Sequence, residues 1–442
     1  MAAHAVNTLS FAFIAASATL GLIYLLIVTE LVNRAVVALL GACLLIVMGV
    51  LSQEDAYRAI DFNTIGLLVG MMIVVAVARK SGLFGYVAIR AAQAAKASPA
   101  GILMALAVVT ALFSTVLNNV TTVLLVVPVT FVICGQLKVP VYPLLFADVF
   151  ASNIGGTATL IGDPPNIMIG SAAHLTFNDF LVNVAPVVAI VFAVQLAINQ
   201  LIWGLWMRAK KEDRAHVMAL RADDAIEDRR LLRWSLRVLA ILIVAFVFED
   251  QLHLQAATIA MFGGAAMLLI DNLPRLRRDH AQSVAVALNE VEWITIFFFI
   301  GLFVVVGAVE RAGVLQFLAD RLVAYTGGDG KRAAVGILWG SALLSALVDN
   351  IPFVATMIPI IKSLAPHFGG DQAVLPLWWS LALGACLGGN GTLVGASPNL
   401  VVAGLAEKNG VRFSFIKFTL IGLPMMLISI AICHYYILWR YF

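Results

Sequence analysis

The sequence predicts an all-α polytopic membrane protein of two inverted repeats, each with about five transmembrane helices, a re-entrant hairpin and a broken helix. Three observations predict it. Of 442 residues, 62% are hydrophobic and 12% charged, against roughly 45–50% and ~25% in soluble domains. Apolar runs near the ~20 residues that cross a bilayer lie at 11–28, 35–51, 65–78, 184–206, 256–270, 294–309 and 418–438. Gly, Pro and Asn also recur in one order at nearly one offset, the mark of an internal repeat.

Taken in order, the first run has no Lys or Arg before it, so it lacks the basic start of a signal peptide and reads as a retained helix. Glu30 and Arg34, four residues apart, fit a helix-end ion pair. Two further runs follow. The segment after Arg79, with Phe84, Tyr86, Ile89 and Arg90, reads as an interfacial helix. Next come two apolar segments broken in mid-run, 101–135 around Asn118-Asn119-Val120-Thr121-Thr122 and 141–174 around residues 155–166, and then a closing span.

Residues 208–237 carry nine Lys/Arg among six Asp/Glu. We read them as a solvated cytoplasmic connector between a repeat at 1–207 and one at 238–442, with no nucleic-acid site. An offset of 231 lays Thr64 on Thr295, Gly70 on Gly301, Gly82 on Gly313, Asn119 on Asn350 and Pro128 on Pro359. An offset of 233 lays Gly155-Gly156 on Gly388-Gly389, Thr159 on Thr392, and Pro165-Asn166 on Pro398-Asn399. If one broken segment per half returns to the side it entered, five crossings remain, and an odd number inverts the second half. Threading both termini outside puts 21 of the 28 Lys/Arg in the cytoplasm, as the positive-inside rule asks of an inner-membrane protein. Trp378-Trp379 read as an anchor at the membrane boundary.

The breaks are the expected working parts. Lipid leaves no exposed backbone group satisfied, so an interrupted span must be lined by protein, water or solute. The run Ser152-Asn153-Ile154-Gly155-Gly156-Thr157-Ala158-Thr159-Leu160-Ile161-Gly162-Asp163-Pro164-Pro165-Asn166 cannot remain one helix. Residues 388–399 repeat the device. Half-helix ends there offer N–H groups and carbonyls to a solute. Asn119, Thr122, Asn153, Thr157, Thr159 and Asn166 are the candidate solute-binding residues of one half; Asn350, Asn390, Thr392, Ser397 and Asn399 are those of the other. Asp148, Asp163 and Asp349 are the candidates for proton or ion coupling, since acids inside a membrane mark ion pathways. No Lys or Arg lies in the breaks, which counts against a doubly charged anion bound without sodium.

No HExxH or GxSxG motif is present and the histidines form no metal-like cluster, so no enzyme and no cofactor is expected. Cys43, Cys134, Cys386 and Cys433 form no CxxC pair.

The Ser152–Asn166 run, the Asn118–Thr122 break, Asp349-Asn350-Ile351-Pro352 and residues 388–399 together resemble the ion transporter superfamily. The likeness is to its branch of arsenical pumps (ArsB), NhaD sodium/proton antiporters and P proteins. The resemblance spans essentially the whole chain. It implies a secondary transporter with an elevator-like motion, hairpin tips at 118–122 and 349–353, and often a homodimer. Proton-coupled efflux of arsenite or antimonite is the function it puts first, with an ATPase, if any, on a separate subunit. Sodium/proton antiport and sodium-coupled carboxylate or small-anion transport are the alternatives.

Overall fold

The computed structural model describes residues 10–29, 31–273 and 280–442. The first half runs through α1 (Phe11–Thr29), α2 (Arg34–Val47), α3 (Gln53–Ala59), α4 (Phe62–Arg79), α5 (Leu83–Ala94) and α6 (Pro99–Ser114). It continues with α7 (Asn119–Leu137), α8 (Tyr142–Thr157), α9 (Pro164–Ala173), α10 (Phe177–Asn183) and α11 (Ala185–Asn199). The connector holds α12 (Lys211–Ala219). The second half has α13 (Arg229–Val247), α14 (Glu249–Leu252), α15 (Ala256–Asn272), α16 (His280–Asn289), α17 (Trp293–Arg311) and α18 (Val314–Thr326). It closes with α19 (Gly330–Ser345), α20 (Asn350–Phe368), α21 (Leu375–Gly388), α22 (Ser397–Lys408) and α23 (Phe415–Tyr441).

The two halves use the same local chemistry at the same places. The acid that opens α4 accepts from the Thr64 hydroxyl, as Glu292 at the start of α17 does from that of Thr295; Asp61 alone of the two also caps main-chain N–H groups, those of Asn63 and Thr64. Both α4 and α17 end at a left-handed glycine, Gly82 (φ 79°) and Gly313 (φ 80°), that turns the chain into an amphipathic helix. Asn118 caps α7 and Asp349 caps α20, each accepting a main-chain N–H. These caps correct the expected hairpin tips: the chain reverses at 115–118 and 346–349, while residues 119–122 already form the first turn of α7. In the first broken span the paired glycines do not make the break. α8 continues through Gly155 and Gly156 to Thr157, and the interruption covers only residues 158–163.

Gly155 and Gly388 serve packing instead. A Cβ at either would overlap the carbonyl of Ala111 or Ala342, so α8 lies backbone to backbone on α6, and α21 on α19. Paired hydroxyl bonds lock the same contacts, Ser114 Oγ to Ser152 O and Ser345 Oγ to Ala385 O, both 2.6 Å. Gly155→Val and Gly388→Val are each expected to cost about 3 kcal/mol or more by overpacking, read as a lower Tm of the detergent-purified protein.

Helices exchange partners between the halves. α2 packs on α17, and α15 packs on α4. With α1 and α13 they form one body; the hairpins α6–α7 and α19–α20 and the broken spans form the other. Trp378 and Trp379 are buried at 4% and 2% exposure inside α21, so they are core residues rather than boundary anchors. Among the described residues, six helices are long and apolar enough to cross a membrane, α7 and α20 among them. Large apolar side chains such as Phe262, Leu420 and Ile241 face outward, as lipid contact requires.

Candidate functional site

The two hairpin turns and the two breaks meet at a small cavity of about 20 Å³, room for about one water or bare ion. It is lined by Asn118, Asn119 and Val120 at the start of α7, and by Asn350 and Ile351 at the start of α20. Asp163-Pro164 open α9 there, and Ser397-Pro398 open α22. Arg34 of α2, with Glu292 and Thr295 at the start of α17, completes the wall. Every one of these helices presents its N-terminus, where unpaired N–H groups and the helix dipole favour negative charge.

Around the cavity the breaks are tied to the hairpins by symmetric bonds. Thr159 Oγ1 donates to the carbonyl of Thr115, and Thr392 Oγ1 to that of Ala346. Asn166 Nδ2 holds the first break through the carbonyls of Thr157 (3.0 Å) and Thr159 (2.9 Å). Asn399 Nδ2 holds the second through those of Gly389 (2.8 Å) and Thr392 (2.9 Å). Asn153 joins the halves, donating to Asn390 Oδ1 at 2.9 Å and Asn399 Oδ1 at 3.0 Å.

Of the residues singled out in the sequence, Asn119, Asn350, Asp163 and Ser397 therefore line the cavity. Asn153, Asn166, Asn390, Thr159, Thr392 and Asn399 form the buried network behind it. Thr122 and Thr157 bond main-chain carbonyls of their own helices. Asp163 is 1% exposed, and its Oδ2 has no hydrogen-bond partner.

Sequence reasoning missed Arg34, Glu292 and Thr295. Arg34 Nη1 pairs with Asp349 Oδ2 at 2.8 Å and with Ser397 Oγ at 2.9 Å; Glu30, the partner expected from the sequence, lies outside the described residues. This brings a cation to the breaks, where the sequence showed none. The signal for Glu292 and Thr295 was available, because the offset of 231 lays them on Asp61 and Thr64.

Asp148 stands apart, fully buried between α6, α7 and α8. Thr110 Oγ1 lies 3.2 Å from its Oδ1 and Thr130 Oγ1 2.8 Å from its Oδ2. Thr130 also has Val126 O at 3.3 Å, and one hydroxyl proton cannot serve both. A carboxyl that donates its own proton to Thr130 satisfies every group. An amide would do the same, so Asp148→Asn is expected to change stability by less than ~1 kcal/mol, and Asp148→Leu to cost about 2–4 by orphaning both threonines. Gradient-driven flux of Asp148→Asn, measured beside its Tm, tells a structural acid from a coupling one.

Two open vestibules flank this region. One, about 330 Å³, reaches the cavity at Arg34, Asp349 and Ser397. The other, about 350 Å³, lies at the far end of α9 and is lined by Asp61, His174, Glu249 and Asp250. Glu249, at an extramembrane helix end, accepts the N–H of Phe177 at 2.8 Å. Burial pushes its carboxyl from 4.5 up to about 7, with neighbouring Asp250 and Asp179 adding to the shift. Between those two pH values the unfolded chain ionises while the folded one resists, so stability falls across that window. Glu249→Gln should abolish this decline, giving a Tm above wild type beyond pH 7 and equal to it near pH 4.

A family model described as "Citrate transporter" matches residues 24–384. A Mycobacterium tuberculosis protein described as an uncharacterized transporter is 43% identical over 423 residues, covering 95% of this chain and 96% of that one. The P protein of Mus musculus is 34% identical over 504 residues, covering 96% of this chain and 60% of that one. Among solved structures, the YdaH transporter of Alcanivorax borkumensis, whose crystal structure is described as revealing an unusual topology, superposes with a TM-score of 0.59. It is 16% identical, and the match covers 86% of this chain and 85% of that one.

Proposed function

The chain belongs to the citrate transporter family and is an integral-membrane secondary transporter; on that premise we propose that it carries a small carboxylate or oxyanion, coupled to protons or sodium. The observation that carries this reading is the convergence of helix N-termini and Arg34 where the small cavity, which holds the partnerless Asp163 oxygen, meets the 330 Å³ vestibule, which has room for the solute. Helix N-termini and a guanidinium attract an anion. A buried carboxylate beside them attracts a proton or a sodium ion, so the two cargoes are drawn to one place. The division into two bodies supports an elevator-like motion, in which the hairpins and broken spans move against α1, α2, α4, α13, α15 and α17.

Arsenite or antimonite efflux is the second reading. The amide and hydroxyl groups around the cavity suit an uncharged trihydroxide. The nearby thiol, Cys386, lies 3.4 Å from Asn166 Oδ1, and a single thiol is not the cluster that would bind trivalent arsenic through sulfur. The relatives named above carry no arsenical in their names.

Purified protein in proteoliposomes, given radiolabelled citrate, succinate or arsenite under an imposed pH or sodium gradient, tests both. Gradient-driven accumulation of a carboxylate is the expected result. Accumulation of arsenite with no carboxylate flux would replace the first reading by the second. Proton movement driven by sodium with no solute at all would replace both by antiport.

A further inference from the structure

The Arg34–Asp349 pair sits where the 330 Å³ vestibule meets the cavity, since Arg34 and Ser397 line both. Its partners belong to different bodies, Arg34 to α2 and Asp349 to the turn of the second hairpin. Arg34 Nη2 also reaches Thr295 Oγ1 at 3.4 Å, and the guanidinium lies 5.3 Å over the ring of Phe298. The guanidinium is thus fixed in place, and exposed enough to meet a solute, at 26% side-chain exposure against 15% for Asp349.

Among the described residues, Arg34 is the one cation lining the cavity, while Asp163 and Glu292 line it too and Asp349 faces Arg34 from the vestibule side. A solute anion that fills the vestibule must compete with Asp349 for Arg34. Once released, an ionised Asp349 would be left near Asp163 and Glu292 with no positive partner, which is costly away from bulk water. We propose that Arg34 is exchanged between Asp349 and the anionic solute, so that the solute takes the guanidinium only when Asp349 has taken up the coupling cation. The exchange breaks no covalent bond. A proton or sodium ion enters from solution to neutralise Asp349, Ser397 Oγ (2.9 Å away) stays as its hydrogen-bond partner, and the solute's negative charge replaces Asp349 on Arg34. Coupling then follows from linkage, because each cargo raises the affinity for the other by the same factor. The inference rests on the anion reading above and deepens it by naming the residues that couple the two cargoes.

The test is ligand-induced thermal shift of the detergent-purified protein with citrate, succinate and inorganic sulfate, from pH 6 to 8, with and without sodium. For wild type, the apparent affinity for the bound anion should fall by up to about tenfold per pH unit, or climb with sodium. Asp349→Asn should bind the same anion more tightly than wild type at pH 8 and lose the part of the pH and sodium dependence that Asp349 contributes, keeping only what Asp163 adds. Arg34→Gln should bind at least about tenfold more weakly at every pH, and Arg34→Lys, kept as the variant that preserves the charge, should fall between. If no anion shifts wild type at any pH, the anion reading fails and takes this inference with it. If an anion shifts wild type but Asp349→Asn keeps the wild-type dependence, or Arg34→Gln binds normally, the exchange alone is overturned.

Discussion

Asp163→Asn should abolish gradient-driven accumulation, by about a hundredfold or more, which corresponds to ~2.7 kcal/mol, while the protein still folds. Asp163 opens α9 in an extended conformation (φ −140°, ψ 132°) that any residue adopts, and its side chain makes no capping bond. The fold therefore does not need the carboxylate there. A capping role would have explained an acid before Pro164, and the geometry removes that explanation. What remains is a buried oxygen without a partner, beside Asn119 and Asn350 on the cavity wall. Leaving such a group ionised with no cation beside it costs several kcal/mol, and a bound proton or sodium ion relieves it. Asparagine keeps the volume and one acceptor but cannot hold a cation by charge. Solute–solute exchange across proteoliposomes, which needs no net cation movement, should survive in the same variant. Wild-type accumulation by Asp163→Asn would remove Asp163 from the coupling step.

Much of this arrangement was legible because the repeat is written in residues that cannot be exchanged freely. Gly82 and Gly313 both hold a left-handed turn, and Asn166 and Asn399 both brace a break, so each pair is conserved between halves for a physical reason. Other features were hidden. The turn positions shifted because a polar run reads as a loop, whereas Asn118 and Asp349 are caps and the residues after them are helical. The pair Trp378-Trp379 reads as a boundary signal, yet α21 is buried on all sides, and nothing local distinguishes a tryptophan facing lipid headgroups from one packed edge-on against Phe180 at 5.3 Å. Arg34 was hidden most completely. Its partner is 315 residues away in the sequence, so local spacing does not reveal it.

Asn153→Ala is the second large effect expected, on stability and transport together. Position 153 and position 386 are related by the offset of 233, and each donates across the interface to the bracing asparagine of the other half. Asn153 Nδ2 reaches Asn399 Oδ1 at 3.0 Å, and Cys386 Sγ reaches Asn166 Oδ1 at 3.4 Å. The crossing is symmetric in place but unequal in strength. The amide also binds Asn390 Oδ1 at 2.9 Å and accepts from Asn119 Nδ2 at 3.4 Å, whereas a thiol is a weak donor. Alanine at 153 strands the Asn390 and Asn399 oxygens and removes one of the bonds that fix Asn119 at the cavity. Each stranded buried group costs about 1–3 kcal/mol, so about 3–5 is expected in total, and the hairpin tip loses its register with the breaks. Cys386→Ala removes one weak donor and should cost less than ~1 kcal/mol. Tm and solute flux measured on the two variants side by side provide the check. Equal losses would mean that the interface is held by packing alone, and a loss confined to Asn153→Ala would assign the joining of the halves to its amide.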